Sequence, residues 1–256
     1  MTVLLVLFLG ACVGSFFTCL ADRIAFKESI FSSRSFCFSC RKQLKIQHII
    51  PIFSYIFLRS RCAFCGASLS SHLFLSELFC ALCFCFALFF SHSFYDFLVL
   101  AFILCTLYCL SLLDLRLKAV PEFLLFFLVL LSFLYAFITD LPLFSLFEDS
   151  FFLRFFIFAG FVFFIKFISS FFINFKKYDE KLESMGEADI LVLASMAGIL
   201  GIWQGFYIMF LSSLLALCFF VFLKLYRVKN YEMPMIPFFA VSFMIVFVGS
   251  FYEISL

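Results

Sequence analysis

The chain has 256 residues, of which 66% are hydrophobic and 13% are charged, and its mean hydropathy is +1.20. Because ordinary soluble domains are about half apolar, this composition excludes a soluble globular protein and is typical of a chain that crosses a membrane several times. The net charge of +2 excludes no class of partner by itself, so the positions of the charges along the chain are more informative.

Eight apolar stretches are each long enough, at roughly 20 residues, to cross about 30 Å of hydrocarbon as an α-helix. They lie at 3–21, 73–91, 97–113, 120–139, 151–175, 188–203, 205–223 and 233–252. The first lacks the basic residues that precede the apolar core of a secretory signal, so we expect it to be retained. The sixth and seventh are short and are separated by Gln204, which predicts a tight helical hairpin. The predicted fold is an all-α polytopic membrane protein with about eight transmembrane helices.

The basic residues are distributed very unevenly between the two sides of such a bundle. If eight helices alternate in direction, every Lys and Arg except Arg154 and Lys166 falls on one side. The segment 22–72 carries half of them, more than any other loop. Since cytoplasmic loops are enriched in Lys and Arg, this segment is predicted to be cytoplasmic and both termini to lie outside.

A cytoplasmic module between the first and second helices contains two Cys-x2-Cys pairs separated by 21 residues. Such spacing is typical of a zinc ribbon, in which four thiolates hold a structural Zn²⁺ tetrahedrally. The predicted ligands are Cys37, Cys40, Cys62 and Cys65. Two disulfides or four idle thiols are the alternatives, and His48 and His72 are alternative ligands. A reducing cytoplasm disfavours the disulfides. The eight other cysteines lie in predicted spans, where we expect them to pack as small apolar residues.

Two aspartates mark the ends of predicted spans. Asp114 ends the third span and Asp189 begins the sixth, and the alternating topology predicts both at the cytoplasmic side. Two close carboxylates titrate as a coupled pair, so one can act as a base while the other holds a proton. An acid and a base on either side of a water can hydrolyse a peptide bond. The simpler alternative is that each aspartate only caps or ends a helix.

Other ionisable residues lie in or beside the spans. Lys166 is well inside the fifth span, where it is expected either to snorkel to the surface or to pair with a carboxylate. Glu77 lies a turn into the second span, where it is expected to bind either the four-cysteine module or a catalytic neighbour, and spacing does not decide between them.

Several short motifs follow one another in a fixed order along nearly the whole chain. They are GSFFTCLADRI (14–24), SRSFCFSC (33–40), IPIFSY (50–55), the second cysteine pair, Ser76-Glu77, DLRLKAVPE (114–122), GEADI (186–190) and PMIPFFA (234–240). Each motif alone is weak, but the ordered set is specific. Together they resemble the bacterial type IV prepilin peptidases, which are GxGD-class intramembrane aspartyl proteases.

The resemblance implies that Asp114 and Asp189 are the catalytic pair. It implies an endopeptidase of the bacterial inner membrane that cleaves the basic leader from type IV prepilins or pseudopilins at the cytoplasmic face. It also implies N-methylation of the new N terminus by S-adenosylmethionine, although no glycine-rich nucleotide loop indicates which residues would bind that cofactor. The expected partners are these substrates and the lipid bilayer, with no nucleic acid. The predicted domains are a first transmembrane helix (1–21), the four-cysteine module (22–72) and a transmembrane aspartyl protease core (73–256).

Three positions depart from the family pattern. Ala188 stands where the family has the second glycine of GxGD, and Thr18 and Ile50 stand where the family commonly has asparagine. Because of Ala188, one alternative is a family member that has lost proteolysis and retains only methyl transfer. The alternative from another class is a non-enzymatic zinc-responsive membrane protein or a small transporter. Transporters commonly contain an internal repeat, and the sequence contains no convincing duplication.

Overall fold

The computed structural model describes residues 2–29, 35–37, 39–139, 150–174, 186–226 and 233–255. Within these ranges the regular structure is helical, with two isolated β-bridges and no longer strand. The α-helices are α1 (Thr2–Ala25), α2 (Phe53–Phe57), α3 (Ser71–Phe89), α4 (Phe94–Leu117), α5 (Glu122–Ile138), α6 (Phe151–Asn174), α7 (Glu187–Leu200), α8 (Ile202–Leu225) and α9 (Ile236–Ser255). A 3₁₀ turn lies at Ile46–His48.

Each of the eight predicted spans coincides with one of these helices, which confirms the all-α membrane fold. Among the described residues, five helices are long and apolar enough to cross a membrane, namely α1, α3, α4, α6 and α8. Helix α5 is apolar but shorter, and so is the apolar part of α9, Ile236–Phe251. Helix α7 has 14 residues, which corresponds to about 21 Å and is less than the hydrocarbon thickness. The count of eight spans is therefore approximate.

The predicted break at Gln204 is wrong by three residues. Helices α7 and α8 are separated by Gly201. Its φ of 124° is readily adopted by glycine and rarely by any residue with a side chain. Gln204 lies inside the first turn of α8, and both flanking helices are apolar on all sides. Hydropathy alone therefore gave no signal at the glycine.

The described chain forms two compact units, Met1–Arg116 and Leu117–Leu256. In the first unit, α1 packs against α3 through two glycines one helical turn apart. A Cβ atom at Gly10 would lie 2.8 Å from Ala81 Cα, and one at Gly14 would lie 2.8 Å from Cys80 Cβ. Small residues of this kind let membrane helices approach closely, which replaces the missing hydrophobic driving force with van der Waals contact.

Helix α4 is the most buried of the long helices in the first unit. Its Cys109 thiol donates to the carbonyl of Phe17 in α1 at 3.7 Å. On its other side, the ring of Tyr108 stacks on Phe79 of α3, with centroids 4.8 Å apart. These contacts to α1 and α3 lie about one and a half turns before Asp114, which is on the last turn of α4.

Helix α7 is the centre of the second unit. It packs against α5, α6, α8 and α9, and every residue from Asp189 to Ile199 except Leu191 is buried. Gly198 and Gly205 make this packing possible, because a Cβ at either would lie less than 3.0 Å from a neighbouring side chain. A helix that is apolar all round is expected in such a core position.

Two connecting segments carry part of the predicted charge asymmetry. Lys176, Lys177 and Lys181, and likewise Arg227 and Lys229, lie outside the described residues. The predicted orientation therefore depends on the sequence at these positions.

Replacing Gly14 with alanine is expected to destabilise the first unit. The new methyl group would crowd Cys80 Cβ and the Ser76 carbonyl, so backbone would have to move, at a cost of about 1–3 kcal/mol. Gly160→Ala in α6 is the matched control, since nothing lies within 4 Å of its added methyl group. Thermal unfolding in detergent should show a lower Tm for Gly14→Ala alone. Equal Tm values for the two variants would contradict the close α1–α3 contact.

Candidate active site and metal centre

The four predicted metal ligands come together in one cluster. One thiol sulfur from each of Cys37, Cys40, Cys62 and Cys65 lies within 4.8 Å of the others, and Cys37 Sγ is 3.9 Å from Cys65 Sγ. Thiolates bound tetrahedrally at ~2.3 Å from zinc would be about 3.8 Å apart. The donor set and its spacing therefore fit a closed zinc site. No other group of three or more potential ligands occurs among the described residues.

The two cysteine pairs sit on turns with the same hydrogen-bond pattern. In the first, Arg41 N donates to Cys37 O at 2.8 Å and Cys37 N to Lys42 O at 3.0 Å. In the second, Gly66 N donates to Cys62 O at 3.0 Å and Cys62 N to Ala67 O at 2.8 Å. A short β-bridge closes each turn. The module is thus built from two copies of one metal-binding turn.

The residue after each second cysteine has a positive φ, 59° at Arg41 and 69° at Gly66. On the second turn, Phe64 N donates to Cys62 Sγ at 3.4 Å. The N–H groups of Phe64 and Cys65 lower the pKa of the Cys62 thiol to about 7, because they stabilise the thiolate. A thiolate is the form that binds metal.

The two histidines considered as alternative ligands have other contacts. The ring of His48 lies edge-on to Phe64, with centroids 5.5 Å apart. His72 Nε2 is 3.5 Å from Asp22 Oδ2, and its Nδ1 contacts the Ser70 hydroxyl.

Glu77 links the four-cysteine module to α3. Its carboxylate is buried and accepts a 2.6 Å hydrogen bond from the backbone N–H of Ile52. Ile52 has a φ of 64°, which is rare for a β-branched residue and costs on the order of 1–3 kcal/mol. The hydrogen bond stabilises this conformation and explains why a carboxylate is placed inside a span.

A network around Asp22 supports the helix end that carries Asp114. Asp22, at the end of α1, has a buried carboxylate that pairs with the guanidinium of Arg116 and contacts His72. Arg116 lies two residues after Asp114 on α4. Sequence analysis missed this network. Its only signal was that Asp22 is one of just two acidic residues, with Glu28, among the many basic residues of 22–72.

Asp189 is a buried residue in the first turn of α7, where the helix dipole favours a negative charge. Its Oδ2 accepts the N–H of Gly186 at 3.2 Å, which is half of a capping box. Lys166 Nζ is 4.0 Å from Glu187 Oε1, which confirms pairing with a carboxylate. The same turn of α7 thus holds a buried carboxylate and, beside it, a solvent-facing one.

The departures at Ala188 and Thr18 have clear local consequences. Ala188 lies in the first turn of α7 and has no positive φ, so this turn does not require a second glycine. The buried Thr18 hydroxyl donates to Gly14 O at 2.8 Å, four residues earlier in the same helix. It therefore bonds within its own helix.

Comparison with known proteins identifies the relationship. Residues 8–91 match the Bacterial Peptidase A24 N-terminal domain, and residues 100–221 match the Type IV leader peptidase family. The chain belongs to the type IV prepilin peptidases. The four cysteines and Glu77 fall in the first matched region, and Asp114 and Asp189 fall in the second. As a family member with several apolar helices, it is a multi-pass protein of the bacterial inner membrane.

Three relatives carry the same name, prepilin leader peptidase/N-methyltransferase. The protein from Vibrio cholerae is 26% identical over 223 residues, covering 87% of this chain and 83% of the relative. The protein from Myxococcus xanthus is 40% identical over 76 residues, covering 30% and 23%. The protein from Bacillus subtilis is 38% identical over 61 residues, covering 24% and 25%. No solved structure matches the chain significantly.

Replacing Arg116 with glutamine is expected to lower the free energy of unfolding by roughly 1–3 kcal/mol, because the buried Asp22 carboxylate would lose its charged partner. The double variant Asp22→Asn/Arg116→Gln removes both charges and should recover part of the loss. Denaturant unfolding of the purified protein measures both. A single variant as stable as the wild type would show that the pair contributes nothing.

Proposed function

We propose that this prepilin-processing membrane peptidase uses Asp114 and Asp189 as its catalytic pair. The observation that supports the assignment is that both aspartates fall within residues 100–221, the region that matches the Type IV leader peptidase family. Each aspartate also ends or begins an otherwise apolar helix. An ionisable group in such a position is costly unless it has a function or a partner.

The proposed reaction needs no covalent intermediate. One carboxylate takes a proton from a bound water as the oxygen attacks the scissile carbonyl carbon. The other carboxyl, which is protonated, polarises the carbonyl and gives its proton to the leaving amine as the C–N bond breaks. Two interacting carboxyl groups suit this division, because sharing one proton keeps one of them charged and one neutral.

The proposed orientation follows from the basic segments. With 22–72 in the cytoplasm and both termini outside, the end of α4 and the start of α7 face the cytoplasm. A prepilin or pseudopilin has a basic leader that stays in the cytoplasm and an apolar helix that enters the membrane. The bond between these two parts would then lie at the depth of the two aspartates.

We further propose that the cysteine cluster holds one structural zinc ion. A segment of about fifty residues buries too little apolar surface to be stable alone, so metal ligation would supply folding free energy. Cys37, Cys40, Cys62 and Cys65 would hold the ion as thiolates. Four protein ligands leave no open position, so the zinc would take no part in peptide cleavage.

Methyl transfer is the second activity that the relatives' name supports, with S-adenosylmethionine as methyl donor. Thr18 and Ile50 stand where the family commonly has asparagine. The resemblance implies that both lie in regions linked to methyl transfer. Thr18 is buried and bonded within α1, so its hydroxyl is directed at backbone. Family membership also disfavours the alternatives of a transporter or zinc-responsive scaffold.

Asp114→Asn and Asp189→Asn are each expected to abolish leader cleavage, since amides can neither accept the water proton nor donate an acidic one. The loss should be at least about a thousandfold, the scale of removing an essential acid or base. Cleavage of a prepilin in proteoliposomes is the measurement. Glu187→Gln is the matched control: it neutralises a carboxylate that is 91% exposed two residues from Asp189, and it should retain activity. Normal processing by either aspartate variant would refute the catalytic assignment.

Metal analysis of the purified protein should find one zinc ion per chain. Cys40→Ser should lose the metal and make the 35–69 segment sensitive to protease, because the module would lose its main source of stability. Cys218→Ser is the control, since Cys218 is an exposed cysteine outside the cluster. If Cys40→Ser kept its full zinc content, the cluster would not be the metal site.

A further inference from the structure

An apolar segment of the four-cysteine module, residues 49–57, is exposed although it lies outside the predicted spans. It contains the short helix α2 and the turn before it. Five of its nine side chains are exposed large apolar groups, with Phe57 81% exposed and Ile56 60% exposed; the other three are Ile49, Ile50 and Phe53. We call residues 49–57 the interfacial segment. In water such a surface would be unfavourable, because apolar area is left unburied.

The position of Glu77 sets the depth of the interfacial segment. Helix α3 has 19 residues, or about 28 Å, which is close to the hydrocarbon thickness of about 30 Å and leaves no excess length. Glu77 lies six residues after Ser71, about 9 Å along the helix from that end. Because Ile52 N donates to Glu77 at 2.6 Å, the turn at Ile52 lies beside α3 at this depth. Tyr55 also stacks on Phe74, in the first turn of α3, with centroids 5.2 Å apart.

The backbone of the segment is suited to a medium poor in water. Ser54 N, Ile56 N and Leu58 N all donate to carbonyls within the segment, and Phe53 N donates to Pro51 O. Pro51 has no N–H, and Ile52 N, which has no backbone acceptor, is satisfied by Glu77. Non-helical backbone at membrane depth requires such internal partners, because lipid offers none.

Basic residues flank the interfacial segment on both sides. Lys45 precedes it, Arg59 and Arg61 follow it, and all three are exposed. The sequence contains no Asp or Glu between Glu28 and Glu77. An apolar surface bordered by basic residues is the pattern of a segment that lies in the membrane interface and contacts anionic headgroups.

We propose that residues 49–57 insert into the interfacial layer of the bilayer and dock the four-cysteine module on anionic phospholipid. The apolar side chains of the segment lie at the boundary between headgroups and acyl chains, while Lys45, Arg59 and Arg61 contact headgroup phosphates. A bilayer is favoured over a prepilin as the occupant, because the basic border would repel a basic leader. The proposal does not depend on the peptidase assignment.

The test places one tryptophan in the full-length protein, reconstituted in vesicles whose acyl chains carry bromine, a contact quencher. Trp203→Phe first removes the only native tryptophan. Phe57→Trp is then compared with Phe64→Trp, a control at an exposed ring on the second cysteine turn. Brominated lipid should quench the tryptophan at 57 at least about twofold more strongly than the tryptophan at 64. Aqueous acrylamide should quench the tryptophan at 57 less than the one at 64. The double variant Arg59→Gln/Arg61→Gln should lower the quenching of the tryptophan at 57 by brominated lipid. This decrease should be larger in vesicles that contain phosphatidylglycerol than in vesicles of phosphatidylcholine alone.

Two results would overturn the proposal. In the first, acrylamide quenches the tryptophan at 57 as strongly as it quenches the control, and brominated lipid does not quench it. The other is protection from acrylamide that appears only when a pilin-type transmembrane peptide is added, which would make this surface a substrate site. Both variants replace exposed aromatic rings with another aromatic ring, so folding is expected to be preserved, and equal zinc content would verify it.

Discussion

A polar or charged group beside the hydrocarbon layer must find its partners within the protein, because lipid provides none. This constraint explains the most unusual contacts of the chain. Asp22 is paired with Arg116 and His72 where three helix ends meet, Glu77 holds the N–H of Ile52, and Asp189 accepts the N–H of Gly186. Each contact ties a helix end or a connecting turn to the helices around it. The same groups that would be costly in lipid thus determine where the non-helical parts of the chain are held.

The two proposed catalytic residues occupy similar positions, each at the end of a well-buried helix of its own unit. Asp114 is on the last turn of α4, the most buried of the long helices in the first unit, and Asp189 is on the first turn of α7, the central helix of the second. A central helix is held by neighbours on several sides, so a side chain at its end has a well-defined position. Sites on rigid elements keep their geometry better than sites on loops. Close glycine contacts at Gly14 and Gly198 serve the same purpose, since they remove space in which the helices could shift.

The four-cysteine module combines three sources of stability, none sufficient alone. Its duplicated turns bring four thiols together, and Glu77 ties the intervening loop to α3. Its apolar segment has little protein to pack against. A small module next to a membrane can use metal and lipid in place of a hydrophobic core. This would allow a basic segment with few acidic residues to fold without a core of its own.

The sequence by itself determined the class of fold, the positions of the helices, the cysteine cluster and the family, because apolar length, cysteine spacing and ordered motifs are local properties. The sequence also predicted, as one of two alternatives, that Lys166 pairs with a carboxylate, but it did not indicate that the partner is Glu187. It could not locate the break at Gly201, the Asp22–Arg116 pair or the partner of Glu77. The break at Gly201 is local but leaves no trace in hydropathy, whereas the two contacts depend on which surfaces meet: Asp22 and Arg116 are 94 positions apart, and Ile52 and Glu77 are 25 apart. Only tertiary structure decides such contacts, because they form after helices pack and local patterns no longer limit which groups are neighbours.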